Sequence, residues 1–578
     1  MKFRQLFLVS MLIICSPLVG LPGQIPQQKL MDLADSNEWQ NLLRIENGEP
    51  QINQPQFYAT ALPLDPLAEL IYLTENHNNT LVDRFPARYA FIARHLDLPV
   101  SFEDSDKIQA YLKRMQFDDI SLFYASPFLG SSMSYFGHTF LRLNKANNEM
   151  FSKVINFVGD IPDDISFASL AFKGLGGKLE GTYAISPFYL IHQKYSEVEQ
   201  RQLIEYQITL EEDEKTRLLL HLYELENLSF DYSFIFNNCA SGLVTLLEVA
   251  LPDTNLSKKF RSIVYPFDLP LTLMDLGIAQ PKRTILPKLD KLYQVYEKLS
   301  LGEKSSFLSL TRSKDKIQKI TNEQDPKKVD VYSYLLNGLY DLKFKASNSY
   351  ETDYKQIKSL VYSSRQPYAI SDTPVLKNQL STLGFKISTA RNVQTYSLTY
   401  VPLSTKTLPF QFSKLQTGYF EIGKIKLSYV DEALRIDALH LYEFESLTTT
   451  NPFLNGFSKR MFFGFAHDDT YDTLRFHAET GIGITFGVLN GFLYLLPNVS
   501  LTANPFDFGI YSLVGYKLNL WRTTLRIESQ IPLYSINQKF SHKLALSMTA
   551  DILNQLSLEG SYDILEKSFT IGMQFRFR

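Results

Sequence analysis

Phe569-Thr570-Ile571-Gly572-Met573-Gln574-Phe575-Arg576-Phe577-Arg578 places an apolar residue on every second position. A period of two sends successive side chains to opposite faces of a strand. The same alternation runs through Ile482-Gly483-Ile484-Thr485-Phe486-Gly487-Val488, and through Leu544, Leu546, Met548, Ala550 and Ile552. It resumes after a turn near Asn554 at Leu556, Leu558, Gly560 and Tyr562, and upstream at Ile425, Leu427 and Tyr429. Strands of about ten residues with one apolar face, ending on an aromatic stretch, predict an outer-membrane-type antiparallel β-barrel over 381–578. A soluble antiparallel sheet with one face on a core shares that period. The region holds no run of about 18 apolar residues, which excludes membrane helices there.

Working outward, residues 286–380 are Lys-rich and read as a helical connecting segment, with a charged break at Asn322-Glu323-Gln324-Asp325-Pro326-Lys327-Lys328. Such a charge run is a solvated face. Residues 24–115 read as a helical N-terminal region, with apolar clusters at Leu42-Leu43, Leu67, Leu70-Ile71 and Tyr89-Phe91-Ile92. At the start, Lys2 and Arg4 precede the apolar Leu6–Val9 and Met11–Cys15, followed by Pro17, Gly20 and Gly23. That is the layout of an export signal over 1–23, with cleavage after Gly20 or Gly23. A retained anchor helix or a lipid-modified Cys15 fits less well, because Pro17 interrupts the run and Ile14 sits where a lipoprotein signal wants a small residue.

Composition narrows the classes. The 578 residues suggest about three or four domains. Hydrophobic residues at 45% exclude a disordered chain. Lys plus Arg at 58 against Asp plus Glu at 61 argues against a nucleic-acid partner. Two cysteines exclude a disulfide-rich or cysteine-based zinc protein. Loss of the signal removes Cys15 and leaves Cys239, which must be buried and inert, paired to another molecule, or reactive.

Residues 116–285 mix strands and helices. Ile120–Ala125, His138–Leu143 and Lys153–Val158 read as strands. Gly174, Gly176, Gly177 and Gly181 lack the G-x-G-x-x-G setting of a phosphate loop. Helices are predicted from Glu197 to about Tyr206 and from about Glu211 to Glu226. Leu243, Leu246, Leu247 and Ala250 then mark an amphipathic helix, with Asn238 as its N-cap and Cys239 in its first turn. Backbone N–H groups at a helix start lower a thiol's pKa and can hold an oxyanion. The structural alternative is a small apolar residue that only packs.

A thiolate nucleophile needs a base within reach. Of nine histidines, His138 begins a strand after the flexible stretch Gly130–Gly137. His77 and His95 read as surface or packing residues, His192 and His221 lie on helical stretches, and His440, His467, His477 and His542 fall in the barrel region. No close ligand spacing predicts a metal.

Gly137-His138-Thr139-Phe140-Leu141-Arg142 together with Phe236-Asn237-Asn238-Cys239 resembles the family named for the N-terminal periplasmic domain of the lipoprotein N-acyltransferase Lnb. Tyr195-x5-Arg201-x4-Tyr206 and Leu219–Leu225 are similar to it as well, so the resemblance spans roughly 120–255. It implies an α+β, circularly permuted papain-like catalytic domain over 116–285 in which histidine precedes cysteine. It also implies Cys239 as nucleophile, His138 as general base and Asn156 as the orienting residue, with no cofactor. Lnb itself carries C-terminal membrane helices where this chain has barrel strands, so the N-acyltransferase reaction does not carry over.

The leading expectation is a cell-envelope cysteine acyltransferase or acyl hydrolase working through a thioester. It would be anchored in outer-membrane lipid, with its N-terminal domain in the periplasm and phospholipid or lipoproteins as substrates. A papain-like peptidoglycan amidase needs a polar groove instead. A non-catalytic scaffold or binding protein would leave Cys239 inert.

Overall fold

The computed structural model describes residues 25–577 apart from the segments 129–136, 161–172, 347–354, 359–380, 407–414 and 537–541, the pairs 175–176, 261–262, 391–392 and 469–470, and a few single positions. The predicted signal, the Gly130-Ser131-Ser132 loop, Gly176 and Asn554 lie outside the described residues. The chain forms two compact units. The smaller comprises Met1–Gln116, Phe157–Tyr183 and Leu210–Ile263; the larger comprises Phe117–Asn156, Ala184–Thr209 and Val264–Arg578.

Helices dominate the smaller unit, among them Pro66–Glu75, Pro86–Leu96, Glu212–Glu224 and Cys239–Ala250. Arg88, fully buried, ties them together. It pairs with Glu69 at 2.9 Å and Glu224 at 3.3 Å and lies over the rings of Phe57 and Phe85. Glu224 also accepts from the backbone N–H groups of Ala87 and Arg88, satisfying donors at a helix start that would otherwise be orphaned.

The α/β part carries seven strands: β1 (Asp119–Ala125), β2 (His138–Asn144), β3 (Lys153–Asp160), β4 (Leu179–Pro187), β5 (Leu203–Ile208), β6 (Phe230–Tyr232) and β7 (Ala279–Ile285). Within the larger unit the order is β3-β2-β1-β5-β7, and the pairings β3–β2, β2–β1, β1–β5 and β5–β7 are antiparallel. In the smaller unit, β4 pairs β6 with Gly181 opposite Phe230.

One expectation fails here. The helix from Glu197 to about Tyr206 ends at Val198, and Leu203–Ile208 is a strand. Leu203, Ile204, Tyr206 and Ile208 are all buried, and β1 and β7 supply partners on both sides. Tertiary pairing outweighs a segment whose apolar spacing fits either period.

Twelve strands close the barrel: β8 (Ser381–Ala390), β9 (Val393–Val401), β10 (Gln416–Val430), β11 (Ala433–Thr448), β12 (Ser458–Asp468), β13 (Thr473–Val488), β14 (Gly491–Thr502), β15 (Asp507–Leu520), β16 (Thr523–Ser535), β17 (Lys543–Asp551), β18 (Leu556–Asp563) and β19 (Ser568–Phe577). All neighbours run antiparallel. β8 pairs β19 from Ser381↔Phe577 onward, and β9 pairs β10 from Tyr396↔Tyr429 to Tyr400↔Ile425, which leaves no open edge. Closure replaces the soluble-sheet alternative.

The two faces differ as the alternation requires. Phe385, Ile484, Ile527, Leu546, Ile571 and Met573 are exposed outward, while Ser397, Glu445, Asn498, Ser557 and Arg576 are buried inside. The lumen is crossed by side chains. Arg526 on β16 donates to Glu445 on β11 at 2.8 Å, and Asn519 on β15 donates to Thr417 on β10 at 3.1 Å. Four strands lie between the partners in each pair, so these bonds are chords through the interior. Phe492, Tyr494, Leu496, Tyr511 and Leu513 fill it further.

Helices Lys288–Glu297, Leu301–Arg312, Lys316–Thr321 and Pro326–Ala346 share one core with Leu415 and Phe453 at one end of the barrel. Both the first and the last barrel strand have their outer terminus, Ser381 and Phe577, at that end. No helix among the described residues is long and apolar enough to cross a membrane.

Candidate active site

In the larger unit, β1 and β2 run antiparallel with Ala125 opposite His138. Gly137, just before it, has φ +82°, and a Cβ there would sit 2.4 Å from the Tyr124 ring, so only glycine lets the chain enter β2 this closely. His138 Nε2 lies 3.0 Å from Asn156 Oδ1 on β3. With the amide oxygen as acceptor, Nε2 carries the hydrogen and Nδ1 is the basic nitrogen.

Tyr195 packs its ring 5.5 Å from that of His138, and the Arg201 guanidinium lies over Tyr195 at 4.6 Å. Arg201 is buried and donates to the carbonyls of Ser126 at 2.6 Å and Ala125 at 2.9 Å, and it pairs with Glu199. Arg201 therefore fastens the end of β1, Tyr195 and the His138 ring into one stack. The imidazole is held well below its ordinary pKa. Burial is the main cause; the Asn156 hydrogen bond opposes it, and the Arg201 and Lys194 charges add to it. The shift keeps the ring neutral at neutral pH and also weakens it as a proton acceptor.

Beneath β2, Arg142 donates to Glu205 at 2.7 Å and lies over the rings of Phe123 and Phe188. Glu205, fully buried, also accepts from Ser121 at 2.8 Å and Arg283 at 2.6 Å. This network fixes the sheet beneath His138.

Cys239 belongs to the smaller unit. It is the first residue of the helix Cys239–Ala250 and 3% exposed. Asn238 caps the helix, its Oδ1 accepting from Ala240 N at 2.9 Å and Ser241 N at 3.3 Å, as the sequence predicts. Its Nδ2 donates to Ile235 O at 3.1 Å, and Ser233 N donates to Asn237 O, which tightens the turn leading to the cysteine. Gly242 comes so close to Phe157 that a Cβ would lie 2.4 Å from the ring, and the Tyr183 hydroxyl donates to Gly242 O at 2.7 Å. The nucleophile candidate therefore starts a helix locked from both sides.

Of the residues singled out from sequence, His138 and Asn156 are brought together directly. His221 is fully buried, and His440, His467 and His477 lie on barrel strands. Sequence reasoning gave Tyr195 and Arg201 no physical role; their signal was an aromatic six residues before an arginine, ahead of a buried strand. No group of three or more metal-ligating side chains occurs among the described residues.

Residues 107–275 match the family described as the Lnb N-terminal periplasmic domain. Residues 414–569 match a second family, a domain of unknown function (DUF7840), which covers most of the barrel. Among curated proteins no relative matches the chain. Solved structures similar to it include the KdgM porin in complex with disordered oligogalacturonate, 9% identical over 34% of this chain and 99% of that one, with a TM-score of 0.22. A bacterial polysaccharide outer membrane secretin is 10% identical over 35% and 99%, with a TM-score of 0.21. A triple mutant of the Rhodopseudomonas blastica porin is 7% identical over 35% and 99%, with a TM-score of 0.16. Residues 107–275 thus match a periplasmic domain family and the strands from Ser381 to Phe577 close a barrel of apolar outer face, the arrangement of an outer-membrane protein with its N-terminal part in the periplasm.

Proposed function

We propose that Cys239, His138 and Asn156 act together as a cysteine acyl-transfer site in a permuted papain-like domain, with the acyl chain of an envelope phospholipid or lipoprotein as substrate. The His138–Asn156 hydrogen bond carries this reading: a neutral imidazole with its tautomer fixed is what a thiol nucleophile requires. Nδ1 of His138 takes the Cys239 thiol proton, and the thiolate attacks the acyl carbonyl carbon. A C–S bond forms, the ester C–O bond breaks, and the departing glycerol oxygen takes the proton back from the imidazolium. An amine or water then attacks the thioester carbonyl and loses a proton to His138. The C–S bond breaks, the thiolate leaves, and the imidazolium reprotonates it. Backbone N–H groups at the helix start stabilise the oxyanion in both halves.

The barrel supports a role as anchor over a role as channel, because side chains bridge its lumen. The test is intact-mass spectrometry of the full chain after incubation with phospholipid, for wild type, Cys239→Ala and His138→Ala. A hydroxylamine-labile fatty-acyl adduct confined to proteins that keep Cys239 is the expected result. Absence of any adduct, with Cys239 closed to iodoacetamide in the folded protein, leaves the scaffold reading.

A further inference from the structure

The helical stretch that carries Tyr195 has a bare side. Phe188 is buried against Phe123 and Phe140, and Tyr195 lies on His138, yet between them Tyr189 and Leu190 are 41% and 45% exposed. Val198 is 60% exposed at the end of the stretch. From the turn before β3, Met150 and Phe151 add 44% and 65%, and the Phe151 ring meets Tyr189 at 5.7 Å. Two separate chain segments thus converge on one uncovered apolar patch. Lys194, exposed, lies between Leu190 and Val198 in the chain.

The same stretch is fastened to the barrel's end. Ser196 Oγ donates to Leu286 O at 3.3 Å, and Gln200 Oε1 accepts from Leu289 N at 2.8 Å. Helix Lys288–Glu297 then reaches the barrel: Tyr296 meets Phe453 at 5.7 Å, and the Tyr293 hydroxyl would lie 3.5 Å from a Cβ on Gly487. One helix, about 10 Å across, separates the patch-bearing stretch from the mouth of the barrel. Aromatic and aliphatic side chains next to a lysine, in the same compact unit as a barrel with an apolar outer face, have the composition of an interfacial anchor.

We propose that Met150, Phe151, Tyr189, Leu190 and Val198 seat on the leaflet of the bilayer that the barrel spans, so that the His138 side of the domain draws its acyl substrate from the membrane surface. The role given to His138 rests on the acyl-transfer reading above; the seating on lipid does not. Lys194 reaches the phosphate layer while its stem lies along the apolar face.

The experiment uses the full chain in nanodiscs of phosphatidylethanolamine with or without phosphatidylglycerol. Benzoylphenylalanine replaces Phe151 or Leu190, and Met31 on the N-terminal helix serves as an exposed comparison site, each in wild-type and Cys239→Ala backgrounds. Phospholipid-mass adducts at 151 and 190, at least about tenfold above those at 31 and independent of Cys239, are expected. Cross-linked dimers, cross-links to another protein, or yields equal to those at 31 overturn the proposal. Phe151→Glu with Tyr189→Glu should slow Cys239 acylation from bilayer lipid about tenfold while leaving iodoacetamide labelling and acylation by a soluble short-chain thioester unchanged. An unchanged bilayer rate overturns the delivery role. Lipid adducts at 151 without any thioester on Cys239 would end the acyl-transfer reading and leave the seating intact.

Discussion

His138 serves as a base only while its ring is neutral, and burial keeps it so far into the acid range. The His138-dependent part of Cys239 alkylation should therefore show no acid break near the ordinary imidazole value of 6.5. Alkylation rates of wild type and His138→Gln between about pH 5 and about pH 8 check this. The same shift has a stability sign. The folded pKa lies below the unfolded one, so the group's contribution is full above 6.5 and is lost as pH falls toward the folded value. The loss is at most about 1.4 kcal/mol per pH unit, and less for a partly buried ring. Melting of the full chain in detergent should decline less on acidification for His138→Gln than for wild type. Asn156→Ala leaves the tautomer unfixed and should slow alkylation at least about tenfold with the fold retained, as judged by cooperative melting at neutral pH with a midpoint lowered by the about 1–3 kcal/mol that an unsatisfied buried donor costs. From sequence alone this pair was visible only through family resemblance, because a separation of eighteen positions from His138 to Asn156 says nothing about two strands meeting.

The helix Cys239–Ala250 works as a mount, and its two locks are separable. Asn238→Ala removes the cap and should cost about 1 kcal/mol, whereas Asn238→Ser should cost less. Gly242→Ala drives a methyl into Phe157 and should cost about 1–3 kcal/mol, with slower Cys239 labelling as the helix shifts. Denaturant midpoints with parallel iodoacetamide rates measure both. The cap was legible because capping is local chemistry: an Asn ahead of Leu243, Leu246, Leu247 and Ala250 leaves little choice. The glycine's role was not, since the ring that excludes a side chain comes from Phe157. Strand Leu203–Ile208 was misread as helix for the same reason, its partners lying some eighty residues away on either side.

For the whole molecule, the barrel wall was written in the period-two pattern and its filling was not. Which residues meet across a lumen depends on strand number and stagger, and no local pattern states either. Arg526 and Glu445 make the sharpest test. Glu445→Ala leaves a buried guanidinium without that acceptor and should destabilise the barrel by about 3–5 kcal/mol, read as a lower unfolding temperature on heated gels. Wild-type protein in planar bilayers should give no steady porin-sized conductance, and such a conductance would sink the anchor reading.

The hairpins at the end of the barrel away from the helices are short. Two to seven residues join β8 to β9, β10 to β11, β12 to β13, β14 to β15, β16 to β17 and β18 to β19. Outer-membrane proteins that meet phages, antibodies or nutrients usually do so through long outward loops. This barrel offers such visitors almost nothing to hold. Substitutions that let a cell escape recognition would find little target here, and a tag or epitope would have to be inserted into one of these turns before antibodies on intact cells could detect the protein.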